Sequence, residues 1–323
     1  AYTNGHGGLP SFQRPSVTYM PGSGRGLLGG GKTNPAGTNQ NAIQMIHIQT
    51  LGNTSDFGDL TLASYGRSGC ASRTRGVFGG GYKDASPAAY TNVIESIEFA
   101  SQGNAADFGN STVARGFSAS NAGNQTRGII GAGGNAPGLS DVIDYITIAS
   151  AGDAADFGNL SAARTSVNGF SSPTRGVFAM GHESPADVDT VEYVTIASTG
   201  NVTDFGNSTA SRQYAMTVST AIRGVSGGGF DNSPSNAMSN IMDYVTIATT
   251  GNSTDFGDLT VARSQSFGGM SDTTRGVFGG GTNPDNVTID YITIATTGNA
   301  ADFGDMSVQT GDTTNISDSH GGL

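Results

Sequence analysis

The tripeptide Asp-Phe-Gly occurs six times in this chain, at 56–58, 107–109, 156–158, 204–206, 255–257 and 302–304, at intervals of 51, 49, 48, 51 and 47 residues. Self-similarity at such a period marks a repeat architecture, in which each unit buries its faces only against its neighbours. A catalytic aspartate is not needed six times over. No glycine-rich loop, strand lysine or His-Arg-Asp segment accompanies the tripeptide as it would in a protein kinase. The unit, not the tripeptide, is what has to be explained.

One unit, residues 263–308, reads RSQSFGGMSDTTRGVFGGGTNPDNVTIDYITIATTGNAADFGDMSV. Turn signals divide it into SQSFGGM, RGVFGGG, VTIDYITIAT and DFGDMSV, which predicts one antiparallel sheet of strands A to D joined by hairpins. In strand C, Ile289, Tyr291, Ile292 and Ile294 put apolar groups on both faces, as expected of a sheet packed between two others. Four strands in a period of roughly 40 to 50 residues is the pattern of a β-propeller. A right-handed β-helix has shorter turns and would not return to a hairpin four times per period. The predicted fold is all-β: a six-bladed β-propeller with four antiparallel strands per blade over residues 14–308, in units of about 14–66, 67–114, 115–163, 164–211, 212–262 and 263–308.

Residues 1–13 and 309–323 are left as extended N- and C-terminal arms. The second carries ISDSHGGL, a degenerate match to MSDTTRGV at 270–277, and the first carries the similar GHGGL at 5–9. Six complete units would already close a ring. The arms are therefore expected to have spare hydrogen-bonding capacity, for latching the disc edge or for adding to another subunit.

Twelve of the thirteen arginines fall in two slots per unit. Arg25, Arg75, Arg127, Arg175, Arg223 and Arg275 precede strand B; Arg14, Arg67, Arg115, Arg164, Arg212 and Arg263 precede strand A. Each unit also supplies a tripeptide aspartate (Asp56, Asp107, Asp156, Asp204, Asp255, Asp302) and a polar residue on strand C (Gln44, Glu95, Asp144, Glu192, Asp243, Asp290). Forked donors and carboxylates at fixed positions predict ion pairs tying strands or blades together, because a ligand site is not copied into every unit.

Composition narrows the functional classes. Two lysines and a net charge of −11 argue against nucleic-acid binding, which needs clustered cations. Cys70 stands alone, so the fold must rest on packing and hydrogen bonds. No apolar run reaches the roughly 18 residues of a membrane span, and AYTNGHGGLPSF lacks the basic and apolar regions of a signal peptide. The GNxxDFGD turns gather Asn and Asp, but calcium-loop spacing is absent and Asn110, Asn159 and Asn207 replace carboxylates. They read as turn formers, and no metal or cofactor is expected.

The connection from strand B to strand C differs in every unit, whereas the turn from C to D stays close to Thr-Gly-Asn. One face of the disc is thus uniform and the other individual. Binding residues concentrate on variable loops held by a rigid scaffold, which makes Tyr82, Tyr90, His182, Asp187, Phe230 and Asp285 the candidate ligand-binding residues. Unconstrained drift would produce the same variability.

The order Arg, RGVFGGG, variable loop, IDYITIA, DFGD resembles the kelch repeat, whose blades carry a double glycine, a Tyr on the third strand and an aromatic leading the fourth. The resemblance covers about residues 14–308, with Ala179-Met180-Gly181 departing from the glycine pattern and Phe57, Phe108, Phe157, Phe205, Phe256 and Phe303 standing where the family has Trp. It implies the propeller fold. The enzymatic galactose-oxidase group among kelch-like propellers needs copper held by Tyr and His, and His6, His47, His182 and His320 show no ligand spacing. The repeated units also resemble those of kelch-like structural proteins of tailed bacteriophages, particularly of aquatic cyanobacteria. That implies a non-enzymatic, extracellular virion component in a tail, fibre or capsid decoration, partnered by other virion proteins or by itself through the arms, with a host glycan as a further candidate partner. The alternative is a cellular or secreted carbohydrate-binding or carbohydrate-acting propeller.

Overall fold

A computed structural model describes residues 22–33, 36–84, 89–231, 237–282 and 287–323. It is a six-bladed β-propeller. Blade 4 shows the plan: strand A (Asn168–Ser171), B (Arg175–Glu183), C (Ala186–Thr195) and D (Thr203–Asn207) pair in that order, all antiparallel. Each blade is apolar on both faces, and the buried side chains divide into six clusters, each spanning two neighbouring blades. The tripeptide phenylalanines each sit in a different cluster. Where strand C carries Tyr, the phenylalanine meets it edge to face, at 5.9 to 6.2 Å between centroids. Among the described residues no helix is long and apolar enough to cross a membrane.

Blade 1 is assembled from both ends of the chain. Its strands B, C and D are Arg25–Gly29, Ala42–His47 and Ser55–Asp59, and its inner strand A is Thr313–Ser317, which pairs Gly26 with Ser317 and Gly29 with Thr314. The capacity expected to be spare in residues 309–323 is therefore used, at the centre of the disc rather than at its edge. The unit beginning at residue 14 accordingly takes its strand A from the far end of the chain. Thr310 stands where units 3 to 6 have the strand-A arginine, and strand C has neutral Gln44 where the other units have an acid, so neither member of the buried ion pair is left without the other. Arg14 and residues 1–13 lie outside the described residues.

Units 3 and 6 carry one more residue than unit 4 between their two arginines, and each absorbs it by interrupting strand A. In blade 3 Asn121 adopts φ +64° and sends its N–H to Gly69 of blade 2, leaving a three-stranded ladder.

The arginines and aspartates do not pair as the counts predicted. Five strand-A arginines are buried and pair with the strand-C acid of their own blade: Arg67 with Glu95, Arg115 with Asp144 (2.7 Å), Arg164 with Glu192, Arg212 with Asp243 (2.9 Å) and Arg263 with Asp290 (3.0 Å). The preceding blade supplies a threonine hydroxyl to the same carboxylate in four of these, as Thr260 does to Asp290 at 2.6 Å. Arg25, Arg75, Arg127, Arg175, Arg223 and Arg275 donate instead to the carbonyls of Phe99, Ile148, Ile196, Ile247, Ile294 and Ile48, each just past strand C of the next blade. The last of these closes the ring from blade 6 to blade 1. Four of the six also lie over their own blade's strand-C tyrosine, at 4.2 to 4.6 Å from the ring centroid.

Asp56, Asp107, Asp156, Asp204, Asp255 and Asp302, expected as the partners of those arginines, are exposed. What their tripeptide does is backbone work. Each C to D turn lies along strand D of the preceding blade: Gly200 donates to Phe157 O at 2.7 Å, and Asn201 Oδ1 accepts the N–H of Asn159 at 3.1 Å. The same clasp recurs at all six junctions, including Asp305 to Asn53. The position needs an acceptor oxygen only, which is why Asp153 serves as well as Asn. The tripeptide glycine is fixed by this contact: Gly206 has φ +146°, and a Cβ there would lie 2.6 Å from the carbonyl of Gly251.

Candidate ligand-binding site

At the centre of the individual face, where strand D of one unit leads into strand A of the next, six residues form a ring around the axis. Gly66, Phe117, Ser166, Tyr214, Gln265 and Asp312 all adopt φ between +53° and +62°. Successive members are joined by backbone hydrogen bonds: Gly66 N–H to Asp312 O (3.0 Å), Phe117 to Gly66 (2.5 Å), Ser166 to Phe117 (2.8 Å), Tyr214 to Ser166 (3.3 Å) and Asp312 to Gln265 (2.5 Å). Five of the six are not glycine, and the left-handed region costs an L-residue about 1 kcal/mol or more. These five hydrogen bonds about the axis hold them there.

Above this ring lies a cavity of about 500 Å³. Its wall carries Tyr65, Phe117 and Tyr214, with Gln265, Thr282, Lys32 and Asp312 as polar groups. Phe117 meets Tyr65 at 5.7 Å and Tyr214 at 6.1 Å, both edge to face. Lys32 Nζ lies 4.8 Å from the Tyr65 ring centroid and 2.8 Å from Asp84 Oδ2, and the Tyr65 hydroxyl donates to Asp84 Oδ1 at 3.3 Å. Burial, then Asp84, holds the Tyr65 phenol above its ordinary range. Asp312 Oδ1 is buried and accepts no hydrogen bond from any described residue. Burial pushes this carboxyl up to about 7, against the pull of Lys32. A cavity walled by aromatic rings with a few polar groups offers surface complementary to apolar faces and to hydroxyl or N–H groups.

The residues expected from the variable loops surround this cavity without lining it. Tyr82, His182 and Phe230 occupy equivalent positions in blades 2, 4 and 5, each paired through its backbone with the segment entering strand A, at Tyr65, Thr165 and Gln213. Lys32, Gly134 and Thr282 fill the same position in blades 1, 3 and 6. Tyr82 packs on Tyr65 at 5.7 Å and on Tyr90 at 5.0 Å, and His182 Nδ1 lies 2.8 Å from Asp187 Oδ1. Asp285 lies outside the described residues. The missed residues, Phe117, Tyr214, Gln265 and Asp312, vary between units just as the loops do. Their variation was masked by the constant arginine two positions before three of them.

Fold and site together define a six-bladed propeller with a polar and aromatic axial cavity on its individual face. No protein-family model and no curated protein sequence matches the chain.

Proposed function

We propose that this chain is a non-enzymatic adhesive module that binds a saccharide in its axial cavity, as a kelch-like structural component of a tailed-phage particle. The observation that carries the binding half is the Tyr65, Phe117 and Tyr214 wall around the unpartnered Asp312 oxygen. Aromatic rings stack on the C–H faces of a sugar ring, while a carboxylate, Gln265 and Thr282 take its hydroxyls. Among the described residues lining the cavity Asp312 is the single carboxylate, whereas glycoside hydrolysis uses a pair. This favours binding over turnover. The virion half rests on the character of the repeats, kelch-like units with two lysines in 323 residues and no tryptophan.

A glycan array followed by calorimetry tests the first half. Wild-type protein is expected to bind a defined saccharide, with binding lost in Tyr214→Ala and Asp312→Asn; absence of any glycan binding, or binding indifferent to both substitutions, overturns it. Immunogold labelling of purified phage particles tests the second. Label confined to cell surfaces would favour a cellular carbohydrate-binding propeller.

A further inference from the structure

The opposite end of the central channel is filled by residues 317–323, Ser-Asp-Ser-His-Gly-Gly-Leu, which run from the closing strand across the A to B turns. Ser317 Oγ donates to Ser271 O at 2.9 Å and accepts the Ser271 N–H at 3.0 Å. Asp318 Oδ1 accepts the N–H groups of Gly24 (3.0 Å) and Arg25 (2.9 Å). His320 is buried; its Nε2 lies 3.2 Å from Ala71 O, and its Nδ1 accepts the Gly322 N–H at 3.1 Å. One ring nitrogen donating and the other accepting is the pattern of a neutral imidazole. Gly321 and Gly322 fit because they have no side chain: a methyl on the first would overlap Thr220 O and Ser171 O, and one on the second Gly123 O. These contacts come from all six blades, so the slot recognises a sequence, with a hydroxyl, an acceptor oxygen, a spacer, His, Gly and Gly in order.

The chain contains that sequence twice. Residues 3–9 read Thr-Asn-Gly-His-Gly-Gly-Leu: hydroxyl for hydroxyl, amide oxygen for carboxylate oxygen, then a glycine spacer and four identities with 320–323. Each ring therefore has one slot and two copies of its ligand. Residues 318–323 are tethered to the strand beside the slot and hold it at high effective concentration. Gly22, the first described residue, lies on the same face, where a Cβ would approach the Asp318 carbonyl at 3.6 Å. Gly22 thus sits at the slot's rim.

We infer that this axial slot is an exchange site, which takes residues 4–9 of a second copy of the chain when its own residues 318–323 withdraw. Such a contact is head to tail, and repeated it builds an open file or a closed ring of propellers. It uses the face opposite the axial cavity, so the cavity stays free for its ligand.

The test uses a variant ending at Ser317, which keeps the closing strand, and synthetic peptides of residues 2–11 and 316–323, measured by fluorescence anisotropy. The 2–11 peptide is expected to bind the shortened chain one to one, roughly a hundredfold tighter than it binds the full-length chain, and to lose binding when Gly7 and Gly8 are both alanine. The shortened chain alone is expected to form oligomers that vanish when residues 1–12 are also removed. If the shortened chain does not fold, full-length Gly322→Ala, which evicts the tail sterically, takes its place. Binding of 316–323 without binding of 2–11 overturns the inference, as does binding of neither peptide or of the doubly substituted one.

Discussion

Arg263 and Asp290 offer a quantitative test of what holds a blade together. Arg263 is fully buried, with Nη2 donating to Asp290 Oδ2 and Phe278 O at 3.0 Å each and Nη1 donating to Thr288 O at 3.0 Å. Asp290 in turn accepts the Thr260 hydroxyl at 2.6 Å and its N–H at 3.2 Å. Burial pulls the guanidinium below its ordinary range and Asp290 opposes this. Arg263→Met would strand a buried carboxylate and two carbonyls. Asp290→Leu would strand a buried guanidinium and the Thr260 donors. Each should cost about 3 to 5 kcal/mol, whereas replacing both members together should cost less than either alone, because two desolvated charges leave at once. With an unfolding entropy of about 2.1 cal/mol/K per residue, the whole chain carries roughly 0.7 kcal/mol/K, so each single change should lower Tm by about 4 to 7 °C. A double-mutant cycle read by calorimetry is the assay. Single costs below about 1 kcal/mol, or a double mutant as costly as the sum of the singles, would refute the view that the pair matters through mutual neutralisation.

Other outcomes follow from the same structure. Burial raises the Asp312 carboxyl from 3.8 to about 7, so the folded state is favoured fully below pH 4 and progressively disfavoured as pH rises through 7. Asp312→Asn should stabilise the protein at pH 8 by up to about 4 kcal/mol, with no gain at pH 4, as melts across pH would show, while abolishing saccharide binding. Gly206→Ala drives a methyl into the Gly251 carbonyl, whereas Gly251→Ala, at a similar φ of +155°, meets nothing within 4 Å; differential scanning fluorimetry should place the first several degrees below the second. Deleting residues 313–323 removes the inner strand of blade 1 and its buried Ile316, and should replace the cooperative melt by aggregation at lower temperature. Burial pushes the Cys70 thiol up to about 12, so it should resist a thiol reagent at pH 8 until denaturant is added.

What could be read in the sequence was whatever each unit repeats in its side chains. The period, the four strands, the phenylalanines at the blade interfaces and the pairing of charge with charge all leave letters at fixed positions. Two kinds of feature leave none. The strand-B arginines find backbone carbonyls, which any residue supplies, so the tripeptide aspartates looked like their partners when the true acceptors were Ile148 O and its equivalents. The axial ring depends on a left-handed backbone at Phe117, Tyr214, Gln265 and Asp312, a conformation these residues do not advertise as glycine would. The closing strand fell between these cases. The likeness of ISDSHGGL to strand A was visible, but counting from Arg14 gave six complete units and left it without a place. The substitutions of Thr310 for arginine and Gln44 for an acid were the trace of its true position.

The closing strand also sets the order in which the molecule can be finished. Gly26 and its ladder partner Ser317 are 291 positions apart, so during synthesis at roughly 5 to 20 residues per second the first blade waits on the order of 15 to 60 s for its inner strand. Blades 2, 4 and 5, whose four strands follow one another in the chain, can form as they emerge. Until the last strand arrives the assembly is an open arc, with the edge of Arg25–Gly29 unpaired on its inner side. Production of this protein is therefore expected to depend more on what protects that edge during translation than on the stability of the finished ring.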